Sequence, residues 1–241
     1  MIDWEELFGE DGGEEEEEEE EEKHCPIVDF PTVPGLRLVR QALSHEQQML
    51  TFQAILDYGH FSSQSNQSMC FGELPPHLNQ LAHFIHKTYP DLLPSHLTKR
   101  QPLFDQAILN LYEKGQGIRS HVDLARFEDG ILIVSFLSSC VMTMRPVNPT
   151  EGEPLGILLR PGDILALSGP ARYDWEHGIE EQMHDTIDGE WIERNVRVSV
   201  TLRKLRAETS EPTMSGNGQV CSSRTCAPAQ AFMTTSHSVS P

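Results

Sequence analysis

The sequence predicts an α+β fold in which a jelly-roll type of β-core follows two helices, with a disordered tail at each end. Three observations predict it. Apolar residues recur with a helical period over residues 43–59 and 76–90. From residue 105 they recur with a period of two, in short runs separated by turn residues, as in sandwiches and barrels. Neither period is present at the two ends of the chain.

Both ends of the chain are predicted to be disordered. Residues 1–27 contain the unbroken run Glu14–Glu22, whose like charges repel and cannot build a core. Residues 207–241 are rich in Ser, Thr, Pro, Gly and Ala. The formal net charge of −19 falls mostly within the first 23 residues. The part between the tails therefore lacks the strongly basic surface of a protein that binds nucleic acid mainly by its phosphates, although a local basic patch is not excluded.

The chain is predicted to work inside the cell, in the nucleus, the cytoplasm or both. Its five cysteines are odd in number and widely spaced, which favours reduced thiols over a disulfide framework or a zinc site. The acidic N-terminus does not match a signal peptide, and no apolar run approaches the roughly 18 residues of a membrane span. We therefore expect no membrane contact, and we expect a monomer.

The first elements are a loop leading into a short strand over residues 30–39, and a helix over residues 43–59. Ser44 and Gln47 have the spacing of a capping box, and Gly59 is a typical helix terminator. The apolar face of this helix is predicted to consist of Met49, Phe52, Ile55 and Leu56.

A second helix is predicted over residues 76–90, after an irregular segment at residues 60–76. That segment is polar, which indicates an exposed loop or a covering flap. The apolar stripe of the second helix is predicted to consist of Leu78, Leu81, Ala82, Ile85 and Tyr89.

Four segments with strand character follow. Residues 106–117 predict a strand that ends in a Gly-rich turn, and residues 131–147 are apolar and β-branched as far as a break at Pro146. Residues 156–169 predict two short strands around a Pro-Gly turn. Residues 195–206 alternate strictly between polar and apolar side chains, which predicts the final strand.

His121 and Asp123 are the first candidate metal ligands. Residues two apart on an extended segment point to the same face, so both side chains can reach one ion. A facial triad of two histidines and one carboxylate, which leaves positions open for dioxygen at Fe(II), needs a second histidine. His177 is the best candidate, because it follows the predicted strand pair and precedes a glycine; His184 is less well placed. The alternatives are a fortuitous His-x-Asp and a surface histidine.

The last strand carries a row of polar side chains. Arg197, Ser199, Thr201 and Arg203 share one face of it. Two buried arginines are costly without an anionic partner, and arginine is suited to binding carboxylates in a bidentate way. A dicarboxylate bound beside the iron would satisfy both. The alternative is an edge strand with a solvated polar face.

Five motifs together resemble a known family. The segments "NLYEKGQGI", "HVD", "FEDGILIVSFLS", "GDILALSGPARYDWEHGI" and "RVSVTLR" occur in the order, and near the spacing, of the Fe(II)- and 2-oxoglutarate-dependent dioxygenases of the AlkB family. The run "ARYDWEHGI" is similar to eukaryotic members. The resemblance implies a double-stranded β-helix in a dioxygenase domain over residues 28–206, with Fe(II), 2-oxoglutarate and dioxygen as cofactor and cosubstrates.

The resemblance also implies roles for eight residues. The implied iron ligands are His121, Asp123 and His177. The implied 2-oxoglutarate-binding residues are Asn110, Tyr112, Arg197 and Arg203, of which Arg197 would pair with the distal carboxylate and Arg203 would lie near the substrate entrance. Arg172 would lie beside the substrate. Prolyl-hydroxylase-like oxygenases are a rival class, but they hold 2-oxoglutarate with a single basic residue, and the paired arginines favour AlkB.

The implied activity is oxidative demethylation or hydroxylation of a macromolecule, and nucleic acid, RNA or DNA, is the first expectation. Residues 62–74, the segment expected over the site, contain no Lys or Arg, and the aromatic side chains in or beside them are Phe61 and Phe71. The alternatives are therefore a methylated protein such as a methyl-lysine or a histone, a small molecule, or a non-catalytic protein that binds basic partners through Glu14–Glu22.

Overall fold

The computed structural model describes residues 25–207. The tails predicted for residues 1–27 and 207–241 lie almost wholly outside this range, and Ile27 already belongs to the first strand. No helix within the described residues is long and apolar enough to cross a membrane.

The described residues form four helices: α1 (His45–Asp57), α2 (Pro76–Thr88), α3 (Ser95–Thr98) and α4 (Pro170–Tyr173). The predicted capping box begins α1. The backbone N–H of Gln47 donates to Ser44 Oγ at 3.1 Å, and the Ser44 N–H donates to Gln47 Oε1 at 2.9 Å. The apolar stripe predicted for α2 is buried throughout.

The buried face of α1 differs from the prediction. Met49 and Leu56 are exposed, whereas Thr51 and Ala54 are buried beside Ile55. The Thr51 hydroxyl donates to the carbonyl of Gln47 at 2.7 Å, so this polar side chain is buried with its hydrogen bond made within the helix. The buried face of α1 therefore consists of smaller side chains than the four apolar residues predicted for it.

The strands, in chain order, are β1 (Ile27–Asp29), β2 (Leu36–Val39), β3 (Gln67–Phe71), β4 (Gln106–Tyr112), β5 (Ile118–His121), β6 (Ile131–Phe136), β7 (Cys140–Pro146), β8 (Leu155–Leu159), β9 (Ile164–Leu167), β10 (Trp175–Ile179), β11 (His184–Ile187), β12 (Glu190–Glu193) and β13 (Arg197–Arg203). A seven-stranded sheet has the order β1-β2-β9-β6-β13-β4-β3, and a four-stranded sheet has the order β5-β10-β7-β8. All pairings are antiparallel, and β11 and β12 form a separate hairpin. The two larger sheets confirm the predicted jelly-roll core.

Three elements depart from the sequence prediction. β3 lies within the segment predicted to be irregular, and it pairs with β4 as an edge strand of the larger sheet. The apolar segment at residues 131–147 ends at Pro146 as predicted, but it also breaks at Leu137, where φ is +72°. This break sends β6 and β7 into different sheets. The hairpin of β11 and β12 was not predicted, because its polar sequence has no apolar alternation.

The core has two parts. One lies between the helices and the larger sheet, and it includes Val198, Val200 and Leu202 of β13. The other lies between the sheets, and it includes Ile133 and Met142. β13 therefore has its apolar face against the helices, and its alternate residues face the space between the sheets.

Candidate active site

A cavity of about 270 Å³ lies between the two sheets. The larger sheet contributes polar residues from β4 and β13, while the smaller sheet contributes β5 and β10. All seven residues implied in iron or 2-oxoglutarate binding line this cavity: Asn110, Tyr112, His121, Asp123, His177, Arg197 and Arg203. Arg172, implied at the substrate, does not line it.

Two histidines and an aspartate meet on the wall formed by the smaller sheet. His121 ends β5 and pairs in register with His177 on β10, while Asp123 follows two residues after the end of β5. One ligand atom from each of the three lies within 4.8 Å of the others. His177 Nε2 is 3.7 Å from Asp123 Oδ2. This Oδ2 is buried and accepts no hydrogen bond from the described residues, a cost that a cation would remove.

Both imidazoles are suited to bind a metal. Burial lowers the pKa of His177 to about 4; the Asp123 carboxylate opposes this shift, and His121 adds to it. His177 is therefore neutral at neutral pH, as a ligand must be. His121 Nδ1 lies 2.8 Å from the carbonyl oxygen of Arg119, which favours the tautomer with its proton on Nδ1 and leaves Nε2 for an ion. Two histidines and one carboxylate fit the Fe(II) facial triad.

Arg197 is the buried cation of the opposite wall. It is 3 % exposed, and its Nη2 donates to Ser135 Oγ at 2.9 Å. Its guanidinium carbon lies 5.4 Å from the centre of the Tyr112 ring. Among the described residues no carboxylate lies within ion-pair distance of Arg197, and its Nε has no hydrogen-bond partner. A buried guanidinium in this state fits an anionic ligand such as a carboxylate.

Arg203 has a different environment from the one its sequence position suggests. Its Nη1 lies 2.8 Å from Asp123 Oδ1, so it already has a carboxylate partner within the chain. Burial lowers the pKa of Arg203, while Asp123 raises it. A dicarboxylate is therefore not required to neutralise both arginines, and Arg203 joins the β13 wall to the aspartate of the metal cluster.

Arg172 binds the backbone of the segment that carries Asp123. Its guanidinium is buried and donates to the carbonyl oxygens of Asp123 at 3.0 Å, Leu124 at 2.9 Å and Phe127 at 3.3 Å. These bonds engage both of its terminal nitrogens. The geometry thus favours a role in positioning the Asp123 turn over direct contact with a substrate.

Gln67 is a cavity residue that the sequence did not indicate. It lies on β3 directly opposite Asn110 on β4, and its Nε2 donates to Asn110 Oδ1 at 2.7 Å. This bond leaves the amide nitrogen of Asn110 available for another acceptor. No motif marks Gln67, because the residues around it are polar and show no strand-like apolar alternation.

The comparisons with known proteins identify the family. The family model for the 2OG-Fe(II) oxygenase superfamily matches residues 44–203. The chain belongs to this superfamily. As a 2OG-Fe(II) oxygenase it is a dioxygenase whose chemistry uses Fe(II), 2-oxoglutarate and dioxygen, and the His121, Asp123 and His177 cluster fits iron.

Several relatives of this oxygenase are AlkB homologues. It is 35 % identical over 127 residues to the Xenopus tropicalis tRNA (carboxymethyluridine(34)-5-O)-methyltransferase alkbh8, with 46 % of this chain and 19 % of that protein aligned. It is 38 % identical over 100 residues to the mitochondrial alpha-ketoglutarate-dependent dioxygenase alkB homolog 7 of Bos taurus, with 41 % and 44 % aligned. The matches therefore span less than half of either relative.

Two further likenesses cover more of the oxygenase. It is 24 % identical over 182 residues to the uncharacterized protein L905 of Acanthamoeba polyphaga mimivirus, with 76 % of this chain and 84 % of that protein aligned. The solved structure of OsALKBH1 matches with a TM-score of 0.52 at 15 % identity, covering 74 % of this chain and all of that one. This structural match supports the jelly-roll fold.

Proposed function

We propose that this dioxygenase oxidises a nucleic acid, RNA or DNA, at a methyl group or another C–H bond presented to the cavity. The observation that carries the oxygenase site is the His121, Asp123 and His177 cluster, opposite a buried arginine with no carboxylate partner among the described residues. Relatives named as a tRNA methyltransferase and as an alkylated DNA repair protein support nucleic acid as the substrate class.

Each wall of the cavity has its own proposed role. His121, Asp123 and His177 hold the iron, and Arg203 orients the Asp123 carboxylate through its ion pair. Arg197 binds the distal carboxylate of 2-oxoglutarate. Asn110 and Tyr112 donate hydrogen bonds to 2-oxoglutarate. Gln67 orients the Asn110 amide for this purpose.

When bound, iron supplies dioxygen activation coupled to the conversion of 2-oxoglutarate to succinate and carbon dioxide. The chain's own residues position the reactants and limit access of water. Ile133, Met142 and Ile179 line the cavity with apolar surface. The outcome depends on the bond that the substrate presents. A hydroxylated N-methyl group collapses to formaldehyde and the free amine, whereas a hydroxylated carbon is a stable product.

Succinate release tests the proposed site. The purified chain, with Fe(II), ascorbate, 2-oxoglutarate and air, is compared with His121→Ala and Asp123→Ala. The matched control is His83→Ala, which removes an exposed histidine of α2. We expect turnover in the native chain and the control and none in the two site variants. Equal turnover in all four proteins would refute the assigned ligands.

The substrate class is tested in the same assay with methylated RNA, DNA and peptides. Stimulated succinate release together with formaldehyde from an oligonucleotide would support nucleic-acid demethylation. Stimulation only by a methyl-lysine peptide would replace it with the protein alternative.

A further inference from the structure

Within residues 25–207, few exposed Lys and Arg side chains lack a carboxylate partner. Ion pairs to acidic side chains occupy most of the exposed and half-buried Lys and Arg side chains. The exposed exceptions among residues 25–207 are Lys87, Lys99, Arg119, Arg126 and Arg206. Three of these five are arginines that lie in, or are hydrogen-bonded to, the segment that contains His121 and Asp123. Arg119 lies two residues before His121, Arg126 three residues after Asp123, and the Arg206 N–H donates to the Arg126 carbonyl at 2.9 Å.

The turn at residues 124–127, which we name the mouth turn, forms the edge of the cavity. Leu124 lines the cavity and is also 59 % exposed, so the cavity opens beside it. The Phe127 N–H donates to the Leu124 carbonyl at 3.1 Å, and Arg172 binds the same carbonyl from inside. The mouth turn is consequently a fixed rim.

One arginine–aromatic pair lies on this rim. The Arg126 guanidinium carbon is 5.7 Å from the centre of the Phe71 ring and 5.0 Å from that of Phe127. Phe127 is buried, but Phe71, the last residue of the edge strand β3, is 49 % exposed. Arg126 is thereby held between two rings while its charge faces solvent.

A second pair lies across the same backbone. Arg206 Nη2 donates to the Tyr173 hydroxyl at 3.4 Å. Tyr173 is 38 % exposed, and the Arg172 guanidinium lies 4.8 Å from its ring centre. The mouth turn therefore has an un-neutralised arginine and a partly exposed aromatic ring on each of two sides.

We propose that these two pairs, Arg126 with Phe71 and Arg206 with Tyr173, bind the nucleotides that flank the oxidised position in a single strand of nucleic acid. Exposed rings next to free arginines match the stacking and phosphate contacts of single-strand binding. They do not suit a basic peptide, which the arginines would repel. Because only two of the unpaired cations, Arg126 and Arg206, are joined at the mouth turn, the surface fits a few phosphates and not the length of a duplex. This inference rests on the proposed function and assigns its substrate surface.

Binding is measured without iron, so that it does not depend on turnover. Fluorescence anisotropy follows a short labelled single-stranded RNA, and the same sequence as a duplex, with the full chain over a range of salt concentrations. The variants are Arg126→Ala, Arg206→Ala and Phe71→Leu. The control is Lys87→Ala, which removes an exposed, unpaired cation from α2.

We expect each arginine variant to weaken single-strand binding and to reduce the slope of log K against log salt by about 0.7. Phe71→Leu keeps an apolar side chain but removes the ring, and it should weaken binding by about fivefold or more. Lys87→Ala should bind as the native chain does. Arg126→Gln, with its melting temperature measured, separates lost contacts from lost folding.

The surface is refuted if no oligonucleotide binds, if Lys87→Ala costs as much as Arg126→Ala, or if the duplex binds as tightly as the single strand. Arg126-dependent binding of a peptide in place of RNA also overturns it. Failure of the enzyme proposal is distinct: RNA binding that depends on Arg126, with no succinate release by the native chain, leaves this surface standing without the reaction. The converse result is succinate release that requires His121, with RNA binding the same in Arg126→Ala, Arg206→Ala and Phe71→Leu as in the native chain. That result supports the reaction and refutes the surface.

Discussion

The two walls of the cavity hold their functional side chains by different means. On the larger sheet, β13 pairs with β6 on one side and with β4 on the other, so its register fixes Arg197 and Arg203. On the smaller sheet, β5 is an edge strand with an irregular register, and Asp123 lies beyond its end. Asp123 is held instead by Arg203 and Arg172. Backbone pairing thus positions Arg197, Arg203, His121 and His177, whereas Asp123 alone depends on side-chain contacts.

The largest expected effect is on the segment of Asp123, which is held by side-chain contacts. Arg172→Ala removes three hydrogen bonds from a buried guanidinium, one to the carbonyl of Asp123 and two to the mouth turn. We expect the free energy of unfolding to fall by roughly 3 kcal/mol or more, with weakened iron binding. Arg126→Ala, in the same turn but exposed, should change stability by no more than about 0.5 kcal/mol. Thermal and denaturant unfolding of both variants measure this, and similar values would show that the turn does not depend on Arg172.

The next largest effect is expected on 2-oxoglutarate binding by Arg197, which lies on the paired strand β13. Arg197→Ala should leave the fold in place, because β13 keeps its pairing, but it should raise KM for 2-oxoglutarate. Loss of a charge-assisted bond worth about 1.5–3 kcal/mol corresponds to roughly 10- to 150-fold. Lys99→Ala is the control. Steady-state succinate release measures KM, and an unchanged value would place the distal carboxylate elsewhere.

A smaller effect is expected at the edge strand of the same sheet. His60 Nδ1 contacts Ser68 Oγ of β3 at 3.0 Å, and its Nε2 lies 3.2 Å from His77 Nε2. Burial, and then the proximity of His60, lowers the pKa of His77 to about 4 from 6.5. The unfolded chain therefore binds the proton more readily, so stability is full above pH 6.5 and declines as pH falls towards 4.

Denaturant unfolding at several pH values tests this dependence. His77→Gln should flatten the curve between pH 6.5 and 4. His83→Gln, an exposed position on the same helix, should not. An unaltered slope in His77→Gln would assign the acid sensitivity to other groups.

The smallest effect is expected from the acidic run Glu14–Glu22, which lies outside the described residues. Both walls are built from residues 25–207, so we expect succinate release without substrate to be unchanged by deletion of residues 1–23. If the run docks basic proteins, binding of a histone-like partner should weaken and lose much of its salt dependence. Pull-down and anisotropy at two salt concentrations measure this, and unchanged partner binding would remove the docking role.

The sequence predicts the residues whose spacing is local. The alternation of β13 is a short-range pattern, so its common polar face follows from strand geometry alone. The His121-x-Asp123 spacing is local as well, although Asp123 lies beyond the end of β5. The role of Arg172 could not be read in this way, because its partners are backbone carbonyls, which carry no sequence signal. The pairing of Arg203 with Asp123 depends on how the two sheets meet. Gln67 was missed because β3 gains its stability from pairing with β4 and not from an apolar pattern.

The break at Leu137 has a kinetic consequence. It joins the two sheets within three residues, and Ser138 Oγ accepts from the Asn195 N–H at 3.0 Å, so this end is tied to the start of β13. Arg197 lies at this tied end, and the mouth turn lies at the other end of the strand. With 2-oxoglutarate at Arg197 and a nucleic acid at the mouth turn, as proposed above, the small diacid has to arrive before the polymer covers the opening. We expect compulsory-order binding, with 2-oxoglutarate first and with excess polymer slowing its exchange.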